Sequence, residues 1–178
     1  MRKFIALFLL LIVIACEKPQ SNLDTYYDLE DRLNQQVVKL TAEKAGLKKT
    51  IIVGEEKETK TFEPDSLGWS EHLDILADFT PADPAFVGAF DITEVDGKTQ
   101  YKVKPGLKVP LKSFEVGTVG KGEIISAVLE NDKTVFSDYK KMTLRFRDEQ
   151  LAFFKVEGFQ KMMLKDTVFY TIEGIVTK

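Results

Sequence analysis

The sequence predicts an α+β domain, in which an N-terminal amphipathic helix and a short second helix pack on one face of a curved antiparallel β-meander. Apolar residues recur at helical spacing early in the chain, and Pro81 and Pro84 end this helical part. The remainder alternates apolar and polar residues between short turns, which predicts about six to eight strands. A single sheet of that size must curl or be covered, so a half-barrel is one form it could take.

The first helix is predicted over about residues 22–45 of a domain that covers residues 23–178. Apolar residues spaced by four, four and three positions form one stripe: Leu29, Leu33, Val37 and Leu40. Ser21 and Asp24 resemble a capping box, and Gly46 provides a stop signal. The stripe could face a coiled-coil partner, but it is short, and packing on the protein's own sheet is the favoured interpretation.

A hairpin and the second helix are predicted next. Two β-prone runs around a Gly-Glu-Glu-Lys turn indicate a hairpin over residues 50–62. Asp65 or Ser66 can cap a helix over residues 66–78. Its apolar side is formed by Trp69, Leu73 and Leu76.

Tight turns divide the rest of the domain. They are predicted at Asp96–Gly97, in the glycine-rich segment 117–122, and at residues 131–133, 148–150 and 165–166. Strict alternation places one set of side chains on the inner face of the clearest hairpin: Met142, Leu144 and Phe146. An earlier strand is predicted to present Phe86, Gly88, Phe90 and Ile92 on one face.

Aromatic residues extend over most of this predicted sheet. The set comprises Phe86, Phe90, Phe146, Phe153, Phe154, Phe159, Phe169 and Tyr170. If the helices cover the inner face completely, these side chains form the core. If they leave a gap, the same side chains line an apolar cavity that could hold an acyl chain or a hydrophobic peptide.

Charge and motif content exclude several classes of function. The net charge of −3 lacks the basic excess expected of a protein that binds nucleic acid. His72 is the single histidine and has no HExxH or cysteine set around it, which predicts an ordinary surface or half-buried helical residue. Adjacent acids such as Glu55 and Glu56 are typical of a solvated turn. We therefore expect no enzyme activity and assign no catalytic, cofactor-binding or metal-binding residue.

The first sixteen residues carry the most specific signal. Arg2 and Lys3 precede twelve apolar residues, Phe4 to Ala15, which end at Cys16, the only cysteine. Twelve helical residues reach about 18 Å, well short of the roughly 30 Å hydrocarbon core of a bilayer. The segment is therefore typical of a secretory signal peptide over residues 1–15 rather than of a spanning helix.

The residues that close this leader, Val13-Ile14-Ala15-Cys16, resemble the lipobox of bacterial lipoproteins. The resemblance implies diacylglycerol transfer to the Cys16 thiol, cleavage between Ala15 and Cys16, and acylation of the new amino terminus. Residues 16–22 would then form the lipidated cysteine and a short tether. Glu17 is not the aspartate that resembles an inner-membrane retention signal, so the sequence favours the outer over the inner membrane.

Together these features predict a membrane-anchored lipoprotein of the bacterial cell envelope with a non-enzymatic binding or scaffolding domain. Its partners are the membrane, through the lipid anchor, and either a protein or an apolar ligand. The alternative function is a carrier or sensor that holds an apolar ligand, such as an acyl chain, in a cavity between helix and sheet.

Overall fold

The computed structural model describes residues 26–178. In this range two α-helices accompany nine strands of one antiparallel sheet. In chain order the elements are α1 (Leu29–Ala42), β1 (Gly46–Val53), β2 (Glu56–Phe62), α2 (Ser66–Ala77), β3 (Phe90–Val95), β4 (Lys98–Val103), β5 (Leu111–Val119), β6 (Gly122–Lys133), β7 (Phe136–Arg147), β8 (Gln150–Met162) and β9 (Val168–Thr177).

The strand order is β2-β1-β9-β8-β7-β6-β5-β4-β3, so the sheet is open and has β2 and β3 at its edges. Strands β3 to β9 form the predicted meander, with each strand next to its successor. The predicted hairpin, β1–β2, adds to the far side of β9, which brings the described total to nine strands. The α+β prediction with a β-meander therefore fits the structure.

Both helices lie on the same side of the sheet, which we name the covered face. The predicted stripe of α1 and the apolar side of α2 are buried there, with Leu29, Leu40, Trp69 and Leu76 at 0% exposure. The sheet contributes alternate side chains that include Phe114, Ile125, Ala127, Met142, Leu144, Phe154 and Val156. Because the buried hydrophobic residues form one cluster, residues 26–178 supply a complete core of their own.

Helix α1 is shorter than the predicted 22–45. Asp28 caps it by accepting a hydrogen bond from the backbone N–H of Asp31 at 2.9 Å, and residues 26–28 are not helical. At the other end Lys44 takes the left-handed conformation with φ of 51°, and Gly46 already belongs to β1. The predicted capping box at Ser21 and Asp24 lies outside the described residues.

Most other boundaries agree with the sequence. Helix α2 begins after Asp65, which accepts from Gly68 N–H at 2.8 Å, and it buries Trp69, Leu73 and Leu76 as predicted. The turns at Asp96–Gly97 and Asp148–Glu149 form with positive φ at both residues of each pair.

Two local predictions are wrong. Residues 131–133 continue strand β6 because Asn131, Asp132 and Lys133 pair with β7, and the chain turns only after them. Phe86 lies in a short 3-10 helix, Pro84–Phe86, and Gly88 has a φ of 78°. The strand therefore starts at Phe90, although Phe86 is buried nonetheless.

Candidate functional site

The opposite side of the sheet is named here the open face. It is formed by the side chains that alternate with the buried ones, such as Thr143 and Arg145 on β7. Both helices of the described chain lie on the covered face, so neither of them packs on the open face. An antiparallel sheet commonly keeps one solvated face of this kind. The chemistry of its side chains decides what it can bind.

A polar belt crosses the middle of the open face. Lys155 contacts Glu157 at 2.7 Å on its own strand and Glu173 at 3.8 Å on β9. The hydrogen bond to Glu157 raises the pKa of Lys155, so this side chain stays charged at neutral pH. On β5, Glu115 accepts from Lys98 and Gln100, each at 2.9 Å. The belt therefore pairs its charges and carries no strong excess of one sign.

An aromatic ladder lies on one side of this belt. Tyr139, Phe159 and Phe169 are direct cross-strand partners on β7, β8 and β9. The rings of Tyr139 and Phe159 stack with centroids 5.8 Å apart, and Phe159 and Phe169 follow at 5.9 Å. They border a shallow groove of about 540 Å³ that Ile52 and Thr171 also line. Phe169 is 62% exposed, which is unusual for a phenylalanine in a sheet.

A second groove of about 670 Å³ lies on the other side of the belt. Ile124, Phe153 and Ile175 line it, and the Arg145 guanidinium lies 5.2 Å from the centroid of the Phe153 ring. The stacking keeps the Arg145 charge next to an apolar wall. The open face thus has two apolar grooves with a neutralised polar strip between them.

Polar groups on the covered face form a separate cluster near the end of α2. Lys140 Nζ lies 3.5 Å from Asp78 Oδ2 and 3.8 Å from Asp138 Oδ2, and Asp138 is only 5% exposed. Burial, and next the charge of Asp138, raise the pKa of Tyr170 to about 12. The cluster is a partly buried ion pair beside a protonated phenol.

His72 is half-buried on α2, as the sequence predicted. Its ring lies 5.1 Å from that of Phe62, and Nδ1 is 3.2 Å from Lys49 Nζ. Burial, followed by the Lys49 charge, lowers the pKa of His72, while Glu71 opposes this shift. Among residues 26–178, His72 belongs to no group of three His, Cys, Asp or Glu residues that could hold a metal ion.

The predicted aromatic set divides between the two faces. Phe86, Phe90, Phe146 and Phe154 are buried in the core, and Tyr170 is half-buried on the covered face. Phe153, Phe159 and Phe169 lie on the open face instead. The expectation that all of them share one surface is wrong, because Phe153 and Phe159 have the opposite parity to Phe154 along β8, and Phe169 has the opposite parity to Tyr170. That expectation also missed Tyr139, whose parity matches Thr143 and Arg145.

The predicted lipidation and cleavage residues, Cys16 and Ala15, lie outside the described residues, as do the signal peptide and the whole tether. Among residues 26–178 no helix is both long and apolar enough to cross a bilayer. Comparison with known protein families, with curated proteins and with solved structures gave no match to this chain. The geometry and the sequence pattern therefore carry the functional conclusion.

Proposed function

We propose that this protein is a lipid-anchored lipoprotein of the bacterial envelope whose domain is a non-enzymatic binding module, and that its open face receives a protein partner. The observation that carries the proposal is the aromatic ladder. Three rings stand side by side on a face that the two helices leave uncovered, and Phe169 is largely exposed. Exposed aromatic clusters of this kind are characteristic of protein interfaces.

The paired charges of the polar belt favour a protein partner over a strongly charged polymer. Lys155 is neutralised by two glutamates, and Glu115 is bound by Lys98 and Gln100. The belt itself therefore presents no cationic excess of the kind that attracts nucleic acid or a polyanion. The apolar grooves of the open face and its neutral polar strip suit the apolar centre and the hydrogen-bonding rim of a protein interface.

The carrier alternative has less support. An apolar ligand between helix and sheet would need space beside residues such as Phe114, Met142 and Phe154. These side chains are at 0% exposure and belong to one buried cluster with the apolar residues of α1 and α2. The space next to Lys140 is a cleft of about 420 Å³ lined by acidic residues, which does not suit an acyl chain.

The anchor and the binding face require separate tests. Intact-mass measurement of protein purified from membranes is expected to show a chain that begins at Cys16 and carries acyl groups. A chain that retains residues 1–15, or has an unmodified thiol, would refute the anchor. This result would leave the binding face untouched.

The binding face is tested by photo-crosslinking in living cells. A photoreactive amino acid replaces Thr171, on the open face beside the ladder, or Val38, which is 71% exposed on α1. We expect a discrete protein adduct from position 171 and none from 38. Phe169→Ser should reduce this adduct, whereas Leu67→Ser on α2 should not. Equal adducts at both positions, or insensitivity to Phe169→Ser, would refute the proposal.

A further inference from the structure

Apolar side chains project from two neighbouring hairpin turns at one end of the sheet. Val135 lies in the β6–β7 turn, Met162 ends β8, Met163 and Leu164 lie in the β8–β9 connection, and Val168 begins β9. We name these five residues the apolar tip. Leu164 is 96% exposed and Met163 60%. The backbone N–H of Met163 donates to the Val135 carbonyl at 3.0 Å, so the two turns form one structural unit.

The apolar tip extends beyond the core. Leu129 is the last buried residue of β6, yet the strand continues to Lys133. The four residues after Leu129, residues 130–133, add roughly 13 Å of strand. Phe136 pairs with Met162, so the adjoining strands β7 and β8 extend equally far. The apolar side chains are therefore presented at a projecting end rather than at the margin of the packed core.

The conformation of the tip is costly in water. Leu164 has a φ of 65°, in the left-handed region that residues with a side chain rarely adopt. Such strain is characteristic of functional segments. A leucine that is both strained and almost fully exposed gains nothing from the described chain. An apolar environment outside the protein would compensate for both costs.

Three lysines surround the apolar tip: Lys133, Lys161 and Lys165. Two aspartates are also close, and one of them, Asp132, accepts a hydrogen bond from Ser137 Oγ at 2.8 Å. The tip therefore carries a local basic excess on a protein whose net charge is −3. Apolar side chains bordered by lysines are the pattern of segments that enter the interface of an anionic bilayer.

The described chain begins on the covered face, beside the start of β3. In an antiparallel meander the start of β3 and the end of β8 lie at one end. Tyr26 packs there, since its hydroxyl accepts from Gly88 N–H at 2.8 Å and its ring lies 6.2 Å from Phe90. The segment between Cys16 and Tyr26 can extend by about 35 Å at most. A lipid on Cys16 and the apolar tip could thus reach the same membrane.

We propose that the apolar tip inserts into the interface of an anionic membrane and forms a second attachment point beside the lipid anchor. Insertion would stand the strands upright on the bilayer and leave the open face free along its side. The anchored orientation rests on the proposed lipidation of Cys16. The affinity of the apolar tip for lipid does not depend on that lipidation, so the anchor and the tip can be tested independently.

The test uses residues 17–178, which contain the complete core and no cysteine. Leu164→Cys and Leu67→Cys each receive a polarity-sensitive fluorophore. Leu67 is 69% exposed on α2, near the opposite end of the sheet. On vesicles that contain phosphatidylglycerol we expect a blue shift from position 164 and none from position 67. No shift from either position, or equal shifts from both, would overturn the proposal.

Vesicle sedimentation supplies the matched measurement. Leu164→Asp is expected to lower the partition coefficient about tenfold or more, whereas Leu67→Asp leaves it unchanged. Replacing the three lysines by glutamine should weaken binding to phosphatidylglycerol vesicles more than to phosphatidylcholine vesicles. Circular dichroism and urea midpoints verify that each variant is folded. Self-association that Leu164→Asp abolishes, without any vesicle binding, would assign the tip to a second copy and refute membrane insertion.

Discussion

The two faces of the sheet use similar residues for different purposes, and strand β8 shows this directly. Phe154 points to the covered face, is at 0% exposure and touches the helices' core cluster. Phe159, five residues later, points to the open face and stacks on Tyr139. Of these two side chains, only Phe154 contributes strongly to the stability of the fold. An aromatic residue in a sheet therefore reports function only when its face is known.

Charged groups show the same contrast. On the covered face Asp138 is buried, so removing its partner Lys140 would leave a charge without compensation. On the open face Lys155, Glu157 and Glu173 are partly solvated, and such pairs contribute about 0–1 kcal/mol. The polar belt consequently adds little to folding and is free to serve recognition.

The largest expected effect separates the two faces on one strand. Phe154→Ala should reduce the free energy of unfolding by about 3–5 kcal/mol because it leaves a cavity in the core. Phe159→Ala should cost about 1 kcal/mol, since one side of its ring is solvated. Urea denaturation of both variants measures the difference. Equal losses would show that the open face is part of the core.

A glycine pair provides the next comparison. A methyl group on Gly174 would overlap the ring of Phe154 on the covered face, so Gly174→Ala should cost about 1–3 kcal/mol. On the open face, the methyl group of Gly117→Ala would meet only the flexible side chain of Lys98, at 3.0 Å. We expect a change within about 0.5 kcal/mol there. Thermal melting of both variants provides the measurement. A larger drop in melting temperature for Gly117→Ala than for Gly174→Ala would contradict this account.

Neighbouring glutamines on α1 test how the helix holds the sheet. Gln36 is buried; its Oε1 accepts from Leu151 N–H at 2.7 Å, and its Nε2 donates to the Glu149 carbonyl at 3.1 Å. Gln36→Ala should reduce the free energy of unfolding by about 1–3 kcal/mol because a buried donor loses its partner. Gln35→Ala, on the exposed side, is the control and should change it by under about 0.5 kcal/mol. Hydrogen exchange at Leu151 should accelerate only in the first variant.

The smallest effect concerns pH. Burial and Lys49 lower the pKa of His72, so the unfolded chain binds a proton more readily than the folded protein. The contribution of His72 to the free energy of unfolding is therefore fully present above its pKa in the unfolded chain, about 6.5, and is lost as the pH falls below that pKa. Urea denaturation at pH 7.5 and 5.5 should show a smaller pH dependence for His72→Gln than for the natural chain. An unchanged dependence would show that His72 is solvated.

Local patterns in the sequence predicted most of the fold because those elements are set by local chemistry. Asp65 caps α2, and Asp96–Gly97 provides the turn residues that accept positive φ. The turn predicted at residues 131–133 failed for a physical reason. These polar residues lie where β6 extends beyond the core, so a strand there has no apolar face to bury.

The candidate site was harder to predict. Alternation alone separates Tyr139 from Met142 on β7, and this signal was available in the sequence. On β8 alternation also separates Phe153 and Phe159 from Phe154, and it is interrupted only at Ala152, where a bulge brings Leu151 to the covered face as well. Which face the helices cover depends on long-range packing, such as the bonds from Gln36 to the β7–β8 turn.

Edge strand β2 bears on whether copies of this protein can join through their sheets. Its sequence, Glu-Lys-Glu-Thr-Lys-Thr-Phe, is almost wholly exposed, and Lys60 pairs with Glu58 at 2.6 Å. Alternating charges along the free side of an edge strand deter addition of a strand from another molecule. The proposed lipid anchor would raise the local concentration of the protein and with it the chance that copies join strand to strand. The charged border of β2 would keep neighbouring copies at one lipid surface from joining through this edge.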